Sequence, residues 1–249
     1  MGGHVREFFD TAFETLRRGE SRHEYVYKAA LTHKILLGKH SLQTASMLTE
    51  FRVGGCKADV AILNGTSTVY EIKSERDSLS RLENQIRAYK RFFAKVYVIA
   101  GENHVENVKA VVSPDVGILC LSSRHQISTL RDAVELPERV CPLAIFESIR
   151  SGEAKHVLKL LDVPVPNVPN TELHFALKER FAKLDPVGVH NAMVKTLKKS
   201  RNLLRLAELV SSLPPSLHSA ALTVPLRKVD HDRLISACDV PLKTAVAWS

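Results

Sequence analysis

Two glycine-containing turns between short β-prone runs constrain the fold of this chain more than any other feature. The runs cover about residues 47–53, 58–63 and 69–74. Gly54-Gly55 separates the first two runs, and Asn64-Gly65 separates the last two. Such residue pairs readily adopt the left-handed backbone conformations of tight hairpin turns. We therefore predict an antiparallel meander of three strands.

Helical patterns lie on both sides of this meander. Apolar residues recur every three or four positions in about residues 5–16 and again in about residues 78–93, which is the spacing of a helix with one buried face. A further helix is predicted over about residues 21–37. Ser21 and Glu24 stand at its start in a capping-box pattern.

Apolar strands follow the helix predicted after the meander. They cover about residues 95–100 and 116–121, with a helical connection between them. This order predicts an α/β fold with an αβββαβ core and a mixed sheet. After about residue 140 only helical patterns remain. We therefore predict an α/β domain over residues 1–140 and an all-helical C-terminal domain or extension over residues 141–249.

The charge balance indicates a polyanionic partner. The 249 residues include 35 Lys and Arg against 27 Asp and Glu, a formal net charge of +8, and basic proteins often bind nucleic acid. No apolar run is long enough to span a bilayer, and the polar residues 1–7 do not form a signal peptide. We therefore expect a cytoplasmic protein with a nucleic-acid partner and no membrane partner, while its oligomeric state stays open.

The cysteines and histidines do not suggest a zinc site. The four cysteines, Cys56, Cys120, Cys141 and Cys238, are too far apart for a Cys-x-x-Cys pair. No two histidines have the His-x-His or His-x-x-x-His spacing. The cysteines are therefore expected to be reduced and buried as small apolar residues.

The meander carries charged residues inside apolar strands. Asp59 stands among apolar neighbours, where a charge is costly unless it is compensated. Glu71 and Lys73 are two residues apart and point to the same face of their strand. A two-residue Gly54-Gly55 turn places Glu50 opposite Asp59. Asp59 shares a face with Glu71 only if the second hairpin loop has an odd number of residues, and we predict a three-residue loop with a left-handed Gly65.

Carboxylates gathered on one face suit Mg²⁺ or Mn²⁺, which prefer oxygen ligands. Asp59 and Glu71 are the candidate ligands, with Glu50 as a third. Glu24, on the preceding helix, competes with Glu50 for that role. Lys73 would help to orient the attacking water and offset negative charge on phosphate. The other interpretation is a structural ion pair, because buried charge clusters indicate function only statistically.

The pattern resembles the PD-(D/E)XK nuclease superfamily. Asp59 matches its first carboxylate, and Glu71-Ile72-Lys73 matches its Glu-x-Lys element. Gln85 and Tyr89 match the Gln-x-x-x-Tyr element of the RecB-like and lambda-exonuclease-like branches. The stretch of residues 50–101 looks most like a little-studied group of bacterial and phage-associated proteins in this superfamily. One departure is Ala58, which stands where the pattern often has proline.

The resemblance covers about residues 20–121, and it implies a restriction-endonuclease-like fold and hydrolysis of phosphodiester bonds with Mg²⁺ or Mn²⁺. The expected substrate is DNA. Asp59, Glu71, Lys73 and Gln85 are the implied catalytic residues, and Tyr89 is expected to contact nucleic acid. Two alternatives stay open: an RNA-cleaving enzyme, and a catalytically silent protein that binds nucleic acid or acts as an adaptor.

A basic segment in the C-terminal region is the second candidate site. It is predicted as a helix over about residues 195–205 and carries Lys195, Lys198, Lys199, Arg201 and Arg205. Such a face can follow a phosphate backbone. A solvated helix surface is the equally simple interpretation, because no aromatic residue stands among the basic ones.

Overall fold

The computed structural model describes residues 3–18 and 22–248. It contains the following α-helices: α1 Val5–Arg18, α2 Glu24–Leu31, α3 Leu37–Lys39, α4 Leu82–Lys90, α5 Val105–Val111, α6 Pro142–Ser148, α7 Ser151–Leu160, α8 Asn170–Phe181, α9 Pro186–Ser200, α10 Ala207–Ser212, α11 His218–Thr223, α12 Lys228–Cys238 and α13 Leu242–Ala245. A π-helical turn, Thr32–Leu36, joins α2 to α3. The strands are β1 Ser46–Val53, β2 Cys56–Asn64, β3 Thr66–Lys73, β4 Lys95–Gly101, β5 Gly117–Leu121 and β6 Ile127–Arg131.

The six strands form one mixed sheet in the order β1-β2-β3-β4-β5-β6. β1, β2 and β3 make the antiparallel meander. β4 and β5 run parallel to β3, as the helical crossovers α4 and α5 require. The predicted α/β class with a mixed sheet and a helical C-terminal region is confirmed. β6, which pairs antiparallel with β5, is a strand that the sequence analysis missed.

Helices cover both faces of the sheet. One face packs against α4 and the helices α6 to α9, with Tyr89, Phe93 and Phe181 among its fully buried side chains. The other face packs against α2 and the helices α10 to α12, with Tyr27 and Ile99 fully buried. The helices after residue 140 therefore share their core with the sheet, because burying a sheet face requires a second layer.

Several predicted helix boundaries change. The helix predicted from residue 78 begins at Leu82, because Ser78 and Asp77 form local hydrogen bonds with their neighbours that compete with helix formation. The helix predicted from residue 21 begins at Glu24 after His23. Ser21 of the predicted capping box lies outside the described residues. Among the described helices, none is both long and apolar enough to cross a membrane.

The cysteine prediction is half right. All four thiols are free. Cys120 and Cys238 are buried, whereas Cys56 and Cys141 are only partly buried.

Candidate active site

The first hairpin has the predicted register. Val53 pairs with Cys56 across the Gly54-Gly55 turn, and Gly54 has a φ of 56°. Thr49 pairs with Val60. Glu50 therefore lies across from Asp59, as the two-residue turn requires.

The second hairpin brings two carboxylates near each other. Asn64 pairs with Thr66 around Gly65, which has a φ of 73°. The register continues to the pair of Val60 and Tyr70, which is the last pair at this end of the ladder, and Asp59 and Glu71 are the next residue on each strand. The loop has an odd length and a left-handed Gly65, as predicted, but one residue separates the strands and not the predicted three. Asp59 Oδ2 also accepts a hydrogen bond of 2.7 Å from the backbone N–H of Ile72.

Lys73 joins Glu71 to helix α4. Its Nζ donates to Glu71 Oε1 at 2.9 Å and to Gln85 Oε1 at 3.0 Å. Glu71 is 1% exposed and Lys73 is 6% exposed, so both charges are removed from water and each is the other's partner. The structure thus brings Glu71, Lys73 and Gln85 together, as the motif requires.

Tyr89 belongs to the same network and not to the surface. Its hydroxyl lies 2.8 Å from Glu71 Oε2 and 2.9 Å from the backbone oxygen of Lys57. The prediction that Tyr89 contacts nucleic acid is wrong, because the residue is fully buried. Burial and the nearby Glu71 charge raise the pKa of Tyr89. The phenol therefore stays neutral and can donate a hydrogen bond to Glu71 Oε2.

A group of three acidic side chains lies near the ion pair of Glu71 and Lys73. Glu24 of α2, Glu50 of β1 and Asp59 of β2 each offer a carboxylate oxygen, and the three oxygens lie within 4.8 Å of one another. The choice between Glu24 and Glu50 is therefore unnecessary, since both join Asp59. We call Glu24, Glu50, Asp59 and Glu71 the carboxylate cluster.

Lys28 is the functional-site residue that the sequence analysis missed. Its Nζ lies 2.6 Å from Glu24 Oε1 and 2.5 Å from Glu50 Oε1. Lys57 also pairs with Glu50. The i, i+4 spacing of Glu24 and Lys28 on one helix face was the available signal for part of this arrangement.

The charges explain the protonation of the cluster. Three lysines, Lys28, Lys57 and Lys73, contact Glu24, Glu50 and Glu71, and no salt bridge holds Asp59 within the described residues. Burial first, and then the Glu71 charge, raises the pKa of Asp59 to about 8. At pH 7 Asp59, the carboxylate without a lysine partner in the described part of the chain, therefore holds a proton in the metal-free protein.

The pKa of Glu50 moves the other way. Burial opposes its ionisation, but hydrogen bonds from Lys28 and Lys57 outweigh burial and lower the pKa of Glu50. Glu50 is thus ionised at neutral pH, next to an Asp59 that is not. The carboxylate cluster is therefore a donor set that fits a divalent metal. The metal would bind Asp59, which has no lysine partner among the described residues, and displace its proton.

The donor chemistry is that of Mg²⁺ or Mn²⁺. Every candidate ligand atom is a carboxylate oxygen, and all-oxygen ligand sets are typical of Mg²⁺, Mn²⁺ and Ca²⁺ sites. Glu71 uses one oxygen for Lys73 and the other for Tyr89. Direct ligation of a metal by Glu71 therefore stays a prediction, whereas the oxygens of Glu24, Glu50 and Asp59 already face one another.

The predicted basic helix is interrupted. Helix α9 ends at Ser200 and Arg201 is its C-cap, so the predicted helical run over residues 195–205 is wrong. Arg205 lies in a 3₁₀ turn, Leu204–Leu206. Lys199, Arg201 and Arg205 instead line a groove beside β1, which we call the β1 groove. Lys195 and Lys198 are not among its lining residues.

Comparison with known proteins places the chain in a family. Residues 17–200 match the sequence profile of the family described as Bacteriophage P4 protein cII. The chain belongs to this family. The matched segment includes all the residues of the carboxylate cluster and helix α9. In the protein cII of Enterobacteria phage P4, 108 residues align with 35% identity, which is 43% of this chain and 40% of that protein's length.

A solved structure is more distantly similar. The SPO1766 protein of unknown function from Silicibacter pomeroyi aligns over 59% of this chain and 89% of its own, with 19% identity and a TM-score of 0.33. A similarity this low does not support an argument about either fold or function.

Proposed function

We propose that this member of the P4 cII family is a divalent-metal-dependent nuclease that hydrolyses phosphodiester bonds in DNA. The observation that carries the proposal is the position of Asp59 beside Glu71: Asp59 Oδ2 accepts a hydrogen bond of 2.7 Å from the N–H of Ile72, and Lys73 is bonded to Glu71 at 2.9 Å. These are the three residue types at the three positions of the PD-(D/E)XK pattern, and their proximity supports the proposal.

Each residue of the site has a role that follows from its contacts. Mg²⁺ or Mn²⁺, held by Asp59 together with Glu24 and Glu50 or Glu71, would supply the Lewis acid for phosphodiester hydrolysis. Lys73 presents its ammonium beside the cluster, where it can orient water and balance the charge of the phosphate. Gln85 and Tyr89 act as positioning residues, because they hold Lys73 and Glu71 from helix α4.

A structural ion pair explains fewer of these features. Lys73 and Glu71 alone would be a balanced buried pair. Asp59 next to Glu71 adds like-charge repulsion, which a proton or a cation relieves. A stable core does not need Asp59 as a third charged group, whereas a metal site does.

One observation favours a second candidate function, a catalytically silent nucleic-acid-binding protein on the same fold. Lys28 contacts both Glu24 and Glu50, so the acidic group already holds an internal cation. A metal must displace or tolerate this ammonium. In a silent protein, Lys28 would replace the metal permanently.

A cleavage assay separates the two candidates. The full chain is incubated with labelled single-stranded and duplex DNA and RNA in Mg²⁺, in Mn²⁺ or in EDTA. We expect DNA cleavage with either metal and none in EDTA. Asp59→Asn should reduce the rate by about 10²-fold or more. Glu83→Gln is the matched control, since Glu83 is exposed on α4 and forms a salt bridge with the exposed Arg87. Binding of DNA without cleavage under every condition would establish the silent candidate instead.

A further inference from the structure

The β1 groove lies next to the carboxylate cluster. It is lined by residues 47–49 and 51 of β1, by residues 150, 199–203, 205 and 206, and by residues 222–226. Its volume is about 620 Å³, within the usual range for ligand sites. Glu50 of the carboxylate cluster lies between Thr49 and Phe51 in β1 but does not itself line the groove, so the groove adjoins the candidate active site.

The lining combines positive charge with apolar surface. Its charged members are Arg150, Lys199, Arg201 and Arg205, and no acidic side chain is among its lining residues. Arg150, Lys199 and Arg205 are exposed. The rest of the wall is mostly aliphatic: Leu203, Leu206, Leu222, Val224, Pro225 and Leu226. A ligand that fills this groove must therefore be an anion with apolar faces.

Arg201 differs from the other cations because it is held rigid. Its Nε donates to Glu153 Oε1 at 3.0 Å, and its Nη2 donates to Glu153 Oε2 at 2.9 Å. Its guanidinium carbon lies 5.1 Å from the centroid of the Phe51 ring. Phe51 covers one face of the guanidinium, and Glu153 fixes its edge. The guanidinium is thus a flat plate in the groove wall, and nucleic-acid bases stack on such planes.

We infer that the β1 groove binds a single-stranded stretch of DNA. Bases lie against the Arg201 plate and the aliphatic wall, and Lys199 and Arg205 contact phosphates. The choice of DNA rests on the proposed function. Duplex DNA fits this lining poorly, because its bases are stacked inside the helix and only phosphates would meet an aliphatic wall. Single strands expose the base faces that such grooves contact.

The test measures binding by the full chain in EDTA, so that cleavage plays no part. The probes are fluorescein-labelled dT15, a 15-base-pair duplex, an abasic oligomer of the same length and rU15, read by fluorescence anisotropy over a salt series. The groove variant is Lys199→Ala with Arg205→Ala. The matched control is Lys195→Ala with Lys198→Ala, which removes the same charge from the same region outside the groove.

We expect dT15 to bind more tightly than the duplex. The groove variant should raise the Kd for dT15 and make the log–log salt slope shallower by about 1.4, since each phosphate contact on a single strand contributes about 0.7. The control variant should leave the slope nearly unchanged. Arg201→Lys keeps the charge but loses the plate, and it should reduce the preference for dT15 over the abasic oligomer by about tenfold.

Three results would overturn the inference: duplex binding as tight as dT15 binding, equal behaviour of the groove and control variants, or tighter binding of rU15 than of dT15. Failure of the nuclease proposal looks different. If the protein binds dT15 through Lys199 and Arg205 but cuts no probe, the groove inference stands and the nuclease proposal fails. If the protein cuts DNA but the groove variant binds dT15 as the parent does, the nuclease proposal stands and the groove inference fails.

Discussion

Asp59 Oδ2 accepts a hydrogen bond of 2.7 Å from the backbone N–H of Ile72, the neighbour of Glu71, and within the described residues Glu71 has a lysine partner whereas Asp59 has none. Burial and the Glu71 charge raise the pKa of Asp59 to about 8, far above its usual value of 3.8. The metal-free fold therefore stores an electrostatic cost at this position. The same cost is what a bound cation would relieve, so the two carboxylates link the stability of the fold to metal binding.

Replacing Asp59 by Asn should stabilise the metal-free protein at alkaline pH. Between about pH 4 and pH 8 the folded state holds a proton on Asp59 that the unfolded state has lost, so the free energy of unfolding falls as pH rises through this window. Asn keeps an oxygen for the Ile72 N–H and never ionises. We expect Asp59→Asn to gain about 1–3 kcal/mol at pH 8.5 and much less at pH 5.

Urea unfolding in EDTA at the two pH values measures this gain, with Glu83→Gln as the control for loss of an exposed carboxylate. An Asn variant that is less stable than the parent at pH 8.5 would show that Asp59 is not under electrostatic strain.

Metal binding should release a proton below pH 8. Asp59 is protonated in the metal-free protein at pH 7, so a metal ion must displace this proton to bind. Below pH 8, each rise of one pH unit should therefore tighten metal binding by up to about tenfold. Calorimetry with Mn²⁺ in buffers of different ionisation enthalpy counts the released protons. Asp59→Asn should abolish the release. Proton release that is unchanged in this variant would assign the titrating group elsewhere.

Removing the cation from the buried pair should destabilise the fold. Lys73→Met leaves Glu71, which is 1% exposed, without its ammonium partner. We expect a loss of about 3 kcal/mol of unfolding free energy. The double variant Glu71→Gln with Lys73→Met should recover most of that loss, because it removes both charges together. A double-mutant cycle from urea unfolding tests the coupling, and additive losses would show that the two side chains do not interact.

A buried histidine should make the fold sensitive to acid. His125 is 5% exposed, and burial together with Arg17 lowers its pKa to about 4; His33, Lys34 and Arg22 act in the same direction. Below pH 6.5 the unfolded chain binds a proton that folded His125 refuses, so stability is fully present above pH 6.5 and falls as pH decreases toward 4.

His125→Asn tests this contribution, because asparagine tolerates the positive φ of 57° at this position. We expect the variant to lose less unfolding free energy between pH 7 and pH 5 than the parent does, by about 1–2 kcal/mol. Equal pH profiles of the two proteins in urea unfolding would contradict the assignment.

The hairpins and the motif residues could be predicted from the sequence because their signals are local. A left-handed glycine fixes each turn, and the turn length fixes which side chains share a face. The remaining features depend on contacts between distant segments. Lys28 reaches Glu50 across 22 positions in the chain, and Tyr89 is buried only because β2 and β3 lie beneath it. Arg201, the C-cap of helix α9, is held by Glu153 of another helix.

The turn that sets the register of the active site offers the most direct backbone test. Gly65 has a φ of 73°, and nothing lies within 4 Å of a Cβ added there. A side chain at this position therefore meets backbone strain but no steric clash. Gly65→Val should cost about 1–2 kcal/mol of unfolding free energy, and Gly65→Asn should cost only a fraction of that, because asparagine adopts the left-handed region more readily.

Gly55 is the matched control, since it has equally open space and no positive φ. Gly55→Ala should be neutral or stabilise by up to about 1 kcal/mol, because alanine restricts the unfolded chain. Urea unfolding of the three variants measures the costs. If Gly65→Val were as stable as Gly55→Ala, the left-handed turn would not be what fixes the loop. The alignment of Asp59 with Glu71 would then have to come from the apolar alternation of β2 and β3 alone.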